Sequence, residues 1–377
     1  MPTPIVLFPG IMGSRLYFEV SDKYWDPDDK VRMLGWLPVW PFRSDDDNRL
    51  ALHASQPAGV IYDTSSNVST VEMDRGWSTV PWSYYGPMLR GLQTQFGTKG
   101  DVYAVGYDWR QDIEWLADYA AQKIQSILAQ TGASKVVVVT HSMGGLVVRS
   151  ALLKGLKKDN LAALVHICIP AAGAVNLYRR MFTGMISPYD GDGSIGNRVF
   201  RLLLGNSRKG FVGNISGLPG AAQLLPSGFF PRDDHGAYWN AELNTIPFAN
   251  LYSAQSPPGL VAASIGLADD VISDLQDRLS DISNFQSFLG DPSHPLHPET
   301  WLVYGTGQNT ETHIAFSSGV AAPVVDHFGD GTVPQISAMS LNLNPQRVFS
   351  AAVEHASACA DQPVLSRVVQ ILTPYIT

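Results

Sequence analysis

Ser142 stands where a serine hydroxyl could serve as a nucleophile. It lies in Thr140-His141-Ser142-Met143-Gly144-Gly145, directly after four consecutive valines (136–139) and before an apolar, helix-compatible stretch. Strand, sharp turn and helix with a serine at the tip is the layout of a nucleophile elbow, although Thr140 replaces the first glycine usual in that motif. A serine hydroxyl attacks only when a base takes its proton and a third group orients the base. After such an elbow, the acid and then the histidine follow in the chain. Of the nine histidines, His53 and His141 precede Ser142, and the turn aims His141 elsewhere. His166 lies inside an expected strand, His235, His294 and His297 in an irregular region, and His313 and His327 before the last strand. His355 follows that strand, in Val353-Glu354-His355-Ala356-Ser357. The acid expected is Asp330, in Gly329-Asp330-Gly331-Thr332, where flanking glycines free the backbone to bring the carboxylate to the imidazole Nδ1. Asp326 and Glu354 are the alternatives. Acyl transfer also requires donors for the oxyanion. Met143 N–H, just after the nucleophile, is one; the loop Pro9-Gly10-Ile11-Met12-Gly13 supplies the second, Ile11 N–H, with Met12 the alternative.

These groups need a scaffold that ends several strands on one edge. A valine run with no polar alternation is a strand buried on both faces. Pro4–Phe8, Asp101–Gly106, Leu161–Ile169, Trp301–Tyr304 and Arg347–Val353 read as further strands. Between 112 and 130, Leu116, Ala120, Ile124, Ile127 and Leu128 form a one-sided helical face. Strands alternating with helices imply an α/β fold with a mostly parallel, doubly wound sheet. Two stretches break the rhythm. Residues 21–76 are rich in Trp, Pro, Asp and Gly and read as a lid-like insertion. Residues 173–299 read as a cap, with one amphipathic helix near 270–289 and a strand-like Pro247–Ser253. The sheet domain is then 1–20, 77–172 and 300–377.

Composition narrows the partners. A 377-residue chain with 45% hydrophobic and 16% charged residues can bury a large core. A formal charge of −8 and a pI near 5.5 exclude nucleic acid as an expected partner. No apolar run reaches eighteen residues, so no transmembrane span is expected, while peripheral lipid contact stays open. The start of the chain lacks a basic leader, so a cytoplasmic location is expected, with secretion after loss of a leader as the alternative. Cys168 and Cys359 read as two buried thiols rather than a disulfide. No cluster has metal-ligand spacing, Asp190-Gly191-Asp192-Gly193 and Asp45-Asp46-Asp47 read as solvated loops, and no cofactor is implied. Asp108 and Arg110 read as a structural ion pair bracing the first loop, with substrate binding as the alternative. Met12, Trp36 and Trp40 are candidate substrate-binding side chains; Trp25, Trp36, Trp40 and Phe42 could wall an apolar acyl chain or pack the lid.

The stretches PIVLFPGIMGSRL, GYDWR, THSMGG, WLVYGTG, GDGTVP and EHAS, in that order, resemble the lecithin:cholesterol acyltransferase family, which includes lysosomal phospholipases and phospholipid:diacylglycerol acyltransferases. The resemblance covers the sheet domain and is weak over 20–76 and 173–300. It implies an α/β-hydrolase fold and an acyl-serine intermediate formed from an ester. It maps the triad onto Ser142, Asp330 and His355, and the oxyanion donors onto Ile11 and Met143. Two departures stand out: Ile11 replaces an acidic or polar residue of the animal members, and the cysteines that bound their lid loop are missing. Expected substrates are apolar esters: a phospholipid, a neutral lipid, or an acylated or lactone natural product. Hydrolysis is the expected reaction, transfer to an acceptor alcohol the alternative, and a non-catalytic binding protein on the same fold the rival. Oligomeric state is not legible.

Overall fold

The computed structural model describes residues 2–36, 45–62, 68–184, 205, 207–227, 266–317 and 320–376. Six parallel strands form the central sheet, in the order β11-β8-β7-β6-β1-β5. They are β1 (Ile5–Phe8), β5 (Val102–Ala104), β6 (Val136–His141), β7 (Leu161–Ile167), β8 (Thr300–Thr306) and β11 (Val348–Ala352). The valine run shows why such a strand carries no polar face. Val136 and Val138 enter one apolar cluster with Val6 and Phe8, while Val137 and Val139 enter the other with Ile5 and Leu7. Successive side chains point to opposite faces, and both faces are covered. Ile113, Leu116 and Ile124 of the helix Ile113–Thr131 join Leu146 and Val147 of the helix Met143–Lys154 on the first face. Met88, Leu89 and Leu92 of the helix Trp82–Phe96 and Val364, Leu365 and Val368 of the helix Gln362–Leu372 cover the second. The sheet and its helices are those of an α/β-hydrolase fold.

Several elements depart from the sequence reading. Within 16–60, β2 (Leu16–Phe18), β3 (Lys23–Trp25) and β4 (Ala58–Val60) make a three-stranded antiparallel sheet. Three-residue strands are too short to leave a period in the sequence. Between β8 and β11 lies an antiparallel hairpin, β9 (Thr310–Ser317) and β10 (Val320–Asp326), also unanticipated. The amphipathic helix expected near 270–289 is Asp269–Leu289. Pro247–Ser253, the Asp190–Gly193 loop, Trp40 and Phe42 lie outside the described residues. Among the described residues, no helix is long and apolar enough to cross a membrane.

Candidate active site

Because the six strands are parallel, their carboxyl ends share one edge, and the loops leaving that edge converge. Ser142 follows β6 with φ 51° and ψ −127°, a sparsely populated conformation for a side-chain-bearing residue. Its N–H donates to Ile167 O at 2.9 Å and its carbonyl accepts from Gly145 N–H at 2.9 Å, which hold the turn. The helix Met143–Lys154 starts at once. Gly144 is required here: a Cβ would come within 2.4 Å of Pro9 O and 2.7 Å of Phe8 O. Thr140, in place of the motif's usual glycine, is fully buried, and its hydroxyl lies 2.8 Å from His166 Nδ1.

His355 follows β11 and Asp330 follows the β9–β10 hairpin; both are buried, as is Ser142. Ser142 Oγ lies 2.8 Å from His355 Nε2, and His355 Nδ1 lies 2.8 Å from Asp330 Oδ2. The other carboxylate oxygen, Oδ1, accepts the N–H groups of Thr332 at 3.0 Å and Val333 at 2.7 Å. Gly331, between Asp330 and Thr332, has φ 90°, which glycine adopts without a Cβ penalty. Asp330 leans on the end of β8, since a Cβ at Gly305 would come 2.4 Å from Asp330 Cβ. Its carbonyl accepts the His355 N–H at 2.8 Å, tying acid and imidazole loops together by backbone as well. Burial alone would raise the Asp330 pKa. The His355 charge and hydrogen bond, with the two backbone N–H donors, outweigh it and hold the carboxyl below its ordinary value. Burial alone would lower the His355 pKa, and the Asp330 charge and hydrogen bond outweigh that too, holding it above 6.5. Asp326 and Glu354 do not take this place: Asp326 Oδ1 accepts Phe328 N–H, and Glu354 accepts Ser357 N–H on the exposed side of its loop.

The loop after β1 is pressed against the serine. A Cβ on Gly10 would lie 2.9 Å from Ser142 Cβ and 3.4 Å from Oγ. Tyr107 Oη donates to Pro9 O at 2.6 Å, Trp25 Nε1 to Met12 O at 2.9 Å, and Gly13 N–H to Gly10 O at 3.0 Å. Met12 is buried with φ 59°. Neither Ile11 N–H nor Met143 N–H is spent on a hydrogen bond among the described residues. Met143 N–H also opens a twelve-residue helix, where the backbone dipoles favour negative charge.

Other candidate side chains serve the scaffold. Trp36 is fully buried, packs edge-on against Phe18 at 5.0 Å and donates its indole N–H to Tyr24 O at 2.6 Å. Arg110 is fully buried, pairs with Asp108 through Nε at 2.8 Å and Nη2 at 2.7 Å, and donates to the carbonyls of Leu52, His53 and Gln56. The pair therefore braces residues 52–56. Cys168 and Cys359 are buried free thiols. A Cys168 Sγ, an Asp330 oxygen and a His355 nitrogen lie within 4.8 Å of one another. They do not suit a metal: Asp330 and His355 are engaged with each other and with Ser142, and burial with the Asp330 charge keeps the Cys168 thiol protonated. Sequence reasoning missed Tyr85 and dismissed His141, which meet behind Ser142; an aromatic residue in a glycine- and proline-bearing segment carried no signal.

The lecithin:cholesterol acyltransferase family profile matches residues 78–189, a stretch that holds Ser142 and ends before Asp330 and His355. No curated protein matches. Among solved structures, the crystal structure of the Tle4-Tli4 complex is similar over 100% of this chain and 98% of that chain, at 20% identity and a TM-score of 0.74. That identity speaks for the fold alone. A Bacillus licheniformis lipase, BlEst2 in mature form, is similar at 12% identity over 100% of this chain and 92% of that one, with a TM-score of 0.36. Phospholipase PlaB from Legionella pneumophila, in complex with thio-NAD, is similar at 12% identity over 78% of this chain and 56% of that one, with a TM-score of 0.34. Six parallel strands with a serine on the strained turn after β6 make an α/β-hydrolase fold, and across that turn, over residues 78–189, the chain is similar to the lecithin:cholesterol acyltransferase family.

Proposed function

We propose that the protein is a serine-dependent carboxylic ester hydrolase of the lipase, phospholipase or esterase type, working through an acyl-serine. The observation that carries this reading is the unbroken chain Ser142 Oγ, His355 Nε2, His355 Nδ1, Asp330 Oδ2, with 2.8 Å at both hydrogen bonds. Ser142 Oγ attacks the ester carbonyl carbon as His355 Nε2 takes its proton. Asp330 holds the Nδ1 proton and stabilises the imidazolium that forms. The oxyanion is held by the N–H groups of Ile11 and Met143. Collapse breaks the bond to the alcohol, which leaves with the proton from His355. Water then gives its proton to His355 and attacks the acyl-serine, releasing the carboxylic acid and restoring the Ser142 hydroxyl. The loop that carries Ile11 and Met12 is pressed against the serine at Gly10, and apolar side chains in such a loop suit an acyl chain, with 21–76 and 173–299 as lid and cap. Transfer to an alcohol acceptor in place of water is the second reading, favoured by the family match.

A fluorophosphonate probe tests the nucleophile. Ser142 is expected to carry the adduct, short-chain p-nitrophenyl esters to be cleaved, and Ser142→Ala to do neither. No adduct on the folded protein, and no ester cleavage, would leave a binding protein as the reading. Supplying alcohols with the ester separates the two reactions: free acid alone across many alcohols would exclude transfer.

A further inference from the structure

Two side chains that no reacting atom touches join three strand ends behind the nucleophile. The phenol oxygen of Tyr85, on the helix Trp82–Phe96, accepts Gly10 N–H at 2.9 Å and lies 3.0 Å from His141 Nδ1. His141 Nε2 lies 3.0 Å from the carbonyl oxygen of His355. The proton positions follow from what each group can do. A carbonyl oxygen only accepts, so His141 carries its proton on Nε2. Burial, reinforced by the nearby His355 imidazole, pushes the His141 pKa down to about 3, so the ring is neutral and Nδ1 is bare. The Tyr85 hydroxyl therefore donates to Nδ1, while its oxygen takes the Gly10 N–H. Burial raises the phenol well above its ordinary pKa, so it keeps that proton. Every donor in the chain meets an acceptor.

We infer that Tyr85 and His141 are positioning residues, whose neutral hydrogen-bond chain Gly10–Tyr85–His141–His355 fixes the oxyanion loop and the base relative to Ser142. The inference rests on the acyl-serine reading above. Gly10 immediately precedes Ile11, and a Cβ on it would lie 2.9 Å from Ser142 Cβ. With its N–H held by Tyr85 and its carbonyl by Gly13 N–H, the peptides on both sides of Gly10 are anchored, which sets where the Ile11 N–H points. At the far end, His355 has its N–H bound to Asp330 O and its carbonyl bound to His141, leaving the imidazole between two pinned peptide groups. His141 and Ser142 are adjacent in the chain, so the nucleophile shares this frame. A misplacement of about 1 Å at such a site can cost on the order of a hundredfold in rate.

Three variants and one spectrum test the chain. Gln at 141 keeps one donor and one acceptor, Leu keeps neither, and Tyr85→Phe removes only the hydroxyl. His141→Leu and Tyr85→Phe are expected to lose about ten- to a hundredfold in kcat with KM within about threefold, and His141→Gln to stay within about fivefold of the parent. Equal losses in His141→Gln and His141→Leu, or an unchanged kcat in Tyr85→Phe, would overturn the inference. The unmodified protein gives a readout independent of variant folding: in ¹⁵N histidine NMR the ring assigned by proximity to Tyr85 and Gly10 should be neutral and protonated on Nε2 down to about pH 4. An Nδ1-protonated or charged ring would overturn the chain. Absence of a fluorophosphonate adduct on the parent would instead defeat the acyl-serine reading, and the NMR result would stand apart from it.

Discussion

Two imidazoles held neutral in the core should make this fold lose stability between pH 7 and pH 5. Burial pushes the pKa values of His141 and His166 down from 6.5 to about 3, with the His355 imidazole adding for the first and the Arg149 guanidinium for the second. In the unfolded chain each returns to about 6.5. Below that value unfolding takes up a proton that the folded state refuses, so stability falls with pH, by up to about 1.4 kcal/mol per unit for each ring. Integrated from pH 7 to 5 the loss is about 2 kcal/mol per histidine and about 4 kcal/mol for both. Set against a typical total of about 5–15 kcal/mol, that is a large share. In a chain this long it corresponds to about 5 °C in Tm. His355 has the opposite sign. Its folded pKa is raised, so its contribution is complete below 6.5 and is lost as pH rises through the folded value, offsetting part of the change near neutrality. The depressed Asp330 loses its contribution only as pH falls through the carboxylate range, below this window. Urea or thermal unfolding at pH 7, 6 and 5 measures the effect in the parent and in His166→Gln, whose amide can replace the bond to Thr140 but does not titrate. The variant is expected to lose about 2 kcal/mol less across the window, whatever its stability at pH 7. A variant as pH-dependent as the parent would refute the assignment of His166 as a buried neutral ring.

Three further outcomes are expected. Asp330→Asn should lower kcat by about 10⁴, because the imidazole loses the partner that fixes its tautomer and stabilises its charge; a loss under tenfold in ester cleavage would remove Asp330 from the mechanism. Because Asp330 holds the His355 pKa above 6.5, kcat/KM of the parent should fall with decreasing pH through a value above 6.5, and an acid limb below pH 6 would contradict that pairing. Arg110→Met should cost about 3–5 kcal/mol by stranding the Asp108 carboxylate and three carbonyls, and should expose 52–56 to limited proteolysis; unchanged protease resistance would show that the segment is held by other contacts.

Much of the site could be read locally because its chemistry sits at strand ends. Val136–Val139 has no polar face, Gly331 gives the turn that aims Asp330, and the order Ser, Asp, His was already present in the chain. The helix Trp82–Phe96 could not be read this way, since Gly86, Pro87 and Gly91 lower its local propensity. Tertiary packing overrides that cost. A Cβ at Gly86 would lie 2.4 Å from the Trp82 ring, and one at Gly91 would lie 2.3 Å from Leu365, so the glycines admit close neighbours. The same helix presents Tyr85, which is why its partnership with His141 left no trace in the pattern. Pro323 within β10 likewise obscures a strand that pairs with β9 only after the chain has folded back.

From the residues alone came Ser142, His355 and Asp330 as the candidate side chains, and the double-covered parallel sheet, because each depends on neighbours a few positions away or on strand periodicity. Folding in three dimensions decided which protons go where. Gly10, Tyr85, His141 and His355 are separated by 75, 56 and 214 positions along the chain, yet three hydrogen bonds join them. Hydrogen-bond direction and the depressed pKa of His141 both follow from burial and from partners brought across the sheet edge, and no local pattern encodes either.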